Sequence, residues 1–259
     1  MTAQVLATSA GVLAVLMVTV WLVSLRLRNA SIVDIVWGST FVLVAWTALL
    51  LGDGTDSRRV LLTVLATVWG LRLSIYLAWR NGIRHEDFRY AAMRRRDPEG
   101  FPRRSLVTVF LLQGLLAWIV SLPIQLAASG DDPDRLGVLA VVGIVVWIIG
   151  FAFESIGDLQ LARFKADPAN AGKVMDRGLW RYTRHPNYFG DFCVWWGIFL
   201  VAAEIPLARV GIVGPIVMSV LLTRVSGKPL LEKSLMKRRE GYAEYVARTS
   251  GFFPRPPKR

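Results

Sequence analysis

The stretch Gly178-Leu-Trp-Arg-Tyr-Thr-Arg-His-Pro-Asn-Tyr-Phe-Gly-Asp191 carries a basic, aromatic segment into an apolar run through Pro186. Proline suits the first turn of a helix, where a missing N–H costs nothing. The open N–H groups of that turn and the helix dipole point positive charge toward water, beside Arg184 and His185. Such a helix start suits phosphate. With Asn187, Tyr188 and Asp191 following, it points to a phosphate-bearing cofactor serving a lipid-soluble substrate at the edge of an apolar bundle.

The rest of the 259-residue chain is 54% hydrophobic, with a formal charge of +12. The apolar residues fall in runs of about 17–23, the length that crosses roughly 30 Å of hydrocarbon. The reading is an all-α integral membrane protein. It is one transmembrane domain over 1–259, with seven spans near 5–25, 32–51, 60–79, 105–127, 136–156, 187–204 and 208–224. Leu231, Leu235, Tyr242 and Tyr245 share one face of a basic tail, which reads as an interfacial helix near 231–248. Gly52-Asp-Gly-Thr-Asp and Gly130-Asp-Asp-Pro-Asp read as outer turns.

Lys and Arg fix the expected orientation. The segments 26–31, 80–104, 157–186 and the tail from Arg224 hold two, eight, six and ten; the opposite loops hold four. That bias places the N-terminus outside and the C-terminus in the cytoplasm, in the inner (plasma) membrane. The charge is therefore topology plus attraction to anionic lipid, not a nucleic-acid footprint. The first span has no basic n-region and no A-x-A-like cleavage site, so it is expected to be retained. The one cysteine, Cys193, excludes an internal disulfide, and two distant histidines give no support for a metal.

Charges inside spans are costly and mark cavities or partners. Asp34 lies in the second span and Arg72 in the third. Glu154 and Asp158 lie four residues apart at the inner end of the fifth, Asn187 and Asp191 repeat that spacing on the sixth, and Arg224 and Lys228 at the end of the seventh. A polar chamber open to the cytoplasm accounts for all of them. Each also has a plainer reading. Asp34 and Arg72 can form a packing ion pair; Glu154 and Asp158 can be a solvated helix end; Arg224 and Lys228 can be snorkelling anchors; Trp69 and Tyr76 can pack the Arg72 stem. Arg94-Arg95-Arg96 reads as a lipid-facing patch, and Glu204 as structural.

Glu154-x-x-x-Asp158, Lys165 and Gly178-Leu-Trp-x-Tyr-x-Arg-His-Pro-Asn187-Tyr-x-Gly-Asp191 together resemble the steroid 5-alpha-reductase superfamily, nearest to bacterial membrane proteins of the DUF1295 type. Ser31-Ile-Val-Asp34-Ile-Val-Trp37-Gly38 resembles that branch too. The resemblance implies a seven-helix bundle holding NADPH in a cytoplasm-facing chamber. Asp158 and Asn187 then hold the nicotinamide-nucleotide half, and Glu154, His185, Tyr188 and Asp191 lie near the cofactor. Lys165, Arg184, Arg224 and Lys228 then meet the phosphates. Steroid-reducing members place a Gln-Glu pair in the second span and a Tyr in the third; here Asp34 lacks that pair, and Trp69 and Tyr76 stand in the third. The cofactor half matches while the substrate half departs.

The expected activity is NADPH-dependent reduction of a carbonyl-conjugated C=C bond in a lipid-soluble substrate. Arg72 or Tyr76 stabilises carbonyl charge and Asp34 relays the proton. The alternative is an S-adenosylmethionine-dependent lipid or carboxyl methyltransferase of the isoprenylcysteine type, whose members share Arg-His-Pro-x-Tyr-x-Gly and a later Glu, here Glu232. A transport or assembly protein is the third reading; it would favour midplane charges and internal repeats.

Overall fold

The computed structural model describes residues 1–54, 56–82, 86–129, 136–225, 232, 235–236 and 239–258. Lys228, His85, Leu231 and the turn expected at Gly130 lie outside the described residues. Among those described the chain is helical: α1 Thr2–Leu27, α2 Ile32–Leu51, α3 Asp56–Asn81, α4 Phe88–Arg96, α5 Phe101–Val120, α6 Leu122–Ala127, α7 Val138–Ala166, α8 Pro186–Ala202, α9 Leu207–Val225 and α10 Tyr242–Arg248.

Six of these, α1, α2, α3, α5, α7 and α9, are long and apolar enough to cross a membrane. Large apolar side chains stand on their outer faces, such as Leu50, Ile75 and Val138 at 75%, 68% and 80% exposure. Lipid, not water, suits that surface. α8 has 17 residues, about 26 Å of helix, and is the shortest of the elements expected to span. The expected span 105–127 is displaced to Phe101–Val120. Pro102 opens α5, and Ser121 Oγ donates to the Ala117 carbonyl (2.8 Å) ahead of Pro123 and closes it, leaving α6 separate. α7 runs ten residues beyond its expected end at 156, so Asp158 and Lys165 stay on the same rod as Glu154.

The chain divides into two compact units, Met1–Ala140 with Val201–Gly214, and Val141–Leu200 with Pro215–Arg259. In the first, Arg28 takes a left-handed conformation (φ 51°) that ends α1, and the Asn29 N–H reaches back to Ser24 O. α2 and α3 then pack through Gly38 and Gly70, where a Cβ on either would run into the other's carbonyl. Fully buried Arg58 donates to Glu204 (2.7 Å) and Val201 O (2.8 Å). Glu204 also accepts the N–H groups of Gly137 and Ala140, capping the start of α7. That geometry makes Glu204 structural, as expected.

In the second unit α7 and α8 meet along a glycine seam. Gly150 faces Gly190 and Gly143 faces Gly197, while Gly157 lies against Pro186 and Asn187. The seven-residue spacing keeps the small residues on one face, and backbones approach as they do in membrane bundles. This seam brings Asp158 up to Asn187.

Candidate functional site

In the second unit, Glu154 and Asp158 are buried at 4% and 3% exposure on one face of α7. Across the seam Asn187 Nδ2 donates to Asp158 Oδ1 at 3.2 Å. Asn187 Oδ1 accepts the Tyr188 N–H at 3.1 Å, so its amide is fixed at both ends. Asp191 follows one turn along α8, half-buried. A buried carboxylate beside a fixed carboxamide can bind a hydroxyl pair or another amide.

The helix begins at Pro186, as the sequence predicts. The basic residues before it point inward. Arg184, 8% exposed, donates through Nε to Glu232 Oε1 (2.8 Å) and through Nη1 to the carbonyls of Val246 and Thr249. His185 Nε2 lies 3.0 Å from the same Glu232 oxygen, and its ring stacks on Tyr188 with centroids 5.3 Å apart. Burial alone would raise the Glu232 carboxyl, but the hydrogen bonds and charges of His185 and Arg184 outweigh it and bring its pKa down to about 2. Burial and then the Glu232 charge push Tyr242 up to about 12. Tyr242 and Tyr245 are buried on α10, which starts only after Gly241 turns the chain (φ 74°), so the single interfacial helix expected over 231–248 is broken at 239–241; Tyr245 donates to Trp180 O. Thr183 Oγ1 donates to Phe252 O (2.7 Å) and closes the tail onto the start of α8. Lys165 and Arg224 are exposed near the ends of α7 and α9.

In the first unit, Asp34 accepts from Tyr90 Oη (2.8 Å) and from Arg89 Nη2 (3.0 Å), both on α4. Gln113 Nε2 donates to Tyr90 Oη (3.1 Å) from α5. Burial, then the charge of Asp34, pushes the Tyr90 phenol well above its usual range. Asp87 fixes this corner: it caps α4 through the Arg89 N–H and holds Arg89 Nε at 2.8 Å. Arg72 lies over the Tyr76 ring, 5.2 Å from its centroid, with Arg80 over the same ring at 5.5 Å. Trp69 is fully buried against Phe41.

The sequence-predicted residues therefore fall into two groups, Asp34, Arg72 and Tyr76 in the first unit, and Glu154 to Arg224 in the second. Tyr90, Arg89 and Gln113 do not stand out in the sequence, because they lie outside the second and third spans that hold Asp34 and Arg72. The signal was Asp87-Phe-Arg89-Tyr90, a helix cap followed by a basic and a phenolic residue. Among the described residues no group of three or more His, Cys, Asp or Glu is placed to hold a metal.

A family model described as "Protein of unknown function (DUF1295)" matches residues 20–249, and the chain belongs to that family. It is 25% identical over 267 residues to the "Uncharacterized protein C594.04c" of Schizosaccharomyces pombe, covering 91% of this chain and 75% of that protein. No solved structure matches.

Proposed function

We propose that this member of the DUF1295 family is a membrane-embedded, NADPH-dependent reductase of a carbonyl-conjugated C=C bond in a lipid-soluble substrate. The observation that carries the reading is the buried Asp158–Asn187 pair with Glu154 one turn behind it. Its donor set suits ribose hydroxyls and a nicotinamide amide, and the resemblance to the steroid 5-alpha-reductase superfamily assigns the same positions to the cofactor. The fit is partial at the phosphates. Arg184 is committed to Glu232 and two carbonyls, so exposed Lys165 and Arg224 take that role, joined by Lys228.

When bound, NADPH supplies a hydride to the β-carbon of the polarised double bond. The chain supplies placement and charge. In the roles expected from the sequence, Arg72 or Tyr76 stabilises the carbonyl charge that grows during transfer and Asp34 relays the proton that the α-carbon takes up. Within the first unit Tyr90 Oη and Arg89 hold the Asp34 carboxylate. In the proposed topology α8 is the sixth of seven spans, the N-terminus lies outside, and the basic loops and C-terminus face the cytoplasm of the inner membrane.

One contact favours the methyltransferase instead. Glu232, the later Glu of that reading, meets His185 of the Arg-His-Pro motif. Titration of the purified chain separates the two, with thermal stability as the readout. A ligand at about a hundred times its dissociation constant stabilises by roughly 2.7 kcal/mol. Stabilisation by NADPH that is lost in Asp158→Ala supports the reductase. Stabilisation by S-adenosylmethionine alone overturns it.

A further inference from the structure

A groove of about 720 Å³ opens in the second unit between the segment after α7 and the C-terminal tail. Arg177, Arg181, Arg248 and Lys258 line it, with Asp176 as the acid among them. Asp176 is already committed to Arg248, so the lining keeps an excess of positive charge. The walls are fixed by backbone. The Lys258 N–H donates to Arg248 O at 2.9 Å, and the Arg255 N–H to Tyr182 O at 3.0 Å. Gly178 turns the opposite wall with φ +58°, which favours glycine.

Two further features say what fills it. Tyr182 and Phe253, beside the groove residues in sequence, expose 42% and 51% of their surface. Phe253 packs at the edge of an aromatic cluster with Phe189, Phe192 and Phe252 on and beside the start of α8. Tyr182 lies four residues before apolar α8 and Phe253 packs on the start of that helix, so exposed aromatics beside clustered cations match the headgroup level of a bilayer. We infer that the groove binds the phosphate of an anionic lipid headgroup. None of the four cations belongs to the proposed cofactor set, so the inference stands whichever cofactor the protein uses.

The test compares the wild-type chain with Arg181→Gln/Lys258→Gln and with Arg95→Gln/Arg96→Gln. The last pair removes the same charge from exposed positions on α4. Each is titrated in detergent with phosphatidylglycerol, phosphatidylcholine or inorganic phosphate while unfolding is followed. The expected result is stabilisation by phosphatidylglycerol over phosphatidylcholine, weakened on the order of 25-fold in the groove variant, about fivefold per cation. The α4 variant should keep the wild-type response. Equal weakening in both variants, or wild-type affinity in the groove variant, overturns the site. Equal stabilisation by inorganic phosphate and phosphatidylglycerol, lost in the groove variant, overturns the lipid as the source.

Discussion

Replacing Gly190 with alanine tests whether the seam between α7 and α8 builds the polar site. A Cβ there would stand 2.5 Å from both Glu154 N and Gly150 O and 2.7 Å from Glu154 Cβ, where ordinary contact begins at 3.4 Å. Two of these are backbone atoms, so no side chain can swing clear. The helices must part by about 0.9 Å at this level. A gap of that size forfeits a quarter to a half of each contact it opens, and overpacking of this kind costs about 1–3 kcal/mol. For a chain of this size that is a fall of roughly 4–8 °C in Tm at about 2 kcal/mol. The same displacement stretches the Asp158–Asn187 bond from 3.2 Å to about 4 Å, beyond hydrogen-bond reach. NADPH-induced stabilisation should therefore weaken together with the fold. Gly11→Ala is the opposite-sign control: nothing lies within 4 Å of its Cβ, and alanine should stabilise α1 by about 0.5–1 kcal/mol. Thermal unfolding of both variants, with and without NADPH, decides it. A Gly190→Ala protein with wild-type Tm and wild-type ligand response refutes the seam as the support of the site.

Glu232→Gln should lower Tm at neutral pH, because Arg184 and His185 lose their shared carboxylate; removing a charged hydrogen-bond partner costs about 1.5–3 kcal/mol. The Glu232 pKa lies below its ordinary 4.5, at about 2, so its contribution is present above pH 4.5 and is lost as pH falls toward 2. The gap between wild type and variant should close over that window, and a gap that widens on acidification counts against the assignment. Tyr90→Phe should cost about 2 kcal/mol by unbonding Asp34 and Gln113 while leaving the NADPH-induced shift intact; loss of that shift would move Tyr90 to the cofactor. Glu204→Ala should cost about 3–5 kcal/mol, since it removes the carboxylate from fully buried Arg58. A near-neutral result in denaturant or thermal unfolding would show that the pair does not fix the start of α7.

Much of the helical layout is legible in hydropathy alone. α2 ends where the apolar run ends, because Gly52 follows Leu51. Hydropathy alone extends α5 too far toward its C-terminus, since the apolar run continues through Ser121 to Ala127 while Pro123 restarts the chain as a new helix. The i, i+4 acids of α7 and the polar pair on α8 were visible as charges out of place in apolar runs. Their meeting was not, because it depends on Gly143, Gly150, Gly157, Gly190 and Gly197. That seven-residue period stands in the sequence, but glycine has no side chain for a hydropathy scan to weigh. The Asp34 partner was hidden for another reason: α4 is a polar helix, and its link to a membrane helix is a tertiary contact that no local pattern encodes.

The Arg-His-Pro motif changes meaning once folded. As sequence it offers two bases to a phosphate; as structure Arg184 and His185 share one oxygen of Glu232, and Arg184 also binds two tail carbonyls. A buried guanidinium with these partners cannot turn outward without leaving two carbonyls unbonded and Glu232 with His185 alone. The motif therefore joins the tail to the start of α8, and the polar residues proposed to meet a ligand are Glu154 and Asp158 on α7 with Asn187 and Asp191 on α8. This set is acidic, and acids repel a polyphosphate as readily as they attract a sulfonium cation. A dinucleotide fits only if its nicotinamide and ribose meet the acids while its phosphates reach the exposed bases at the helix ends. S-adenosylmethionine needs no such division. The two candidate cofactors thus differ in what they need of Lys165 and Arg224: removing those two cations should weaken stabilisation by NADPH in thermal unfolding while sparing stabilisation by S-adenosylmethionine, and an unchanged NADPH response counts against the phosphate role.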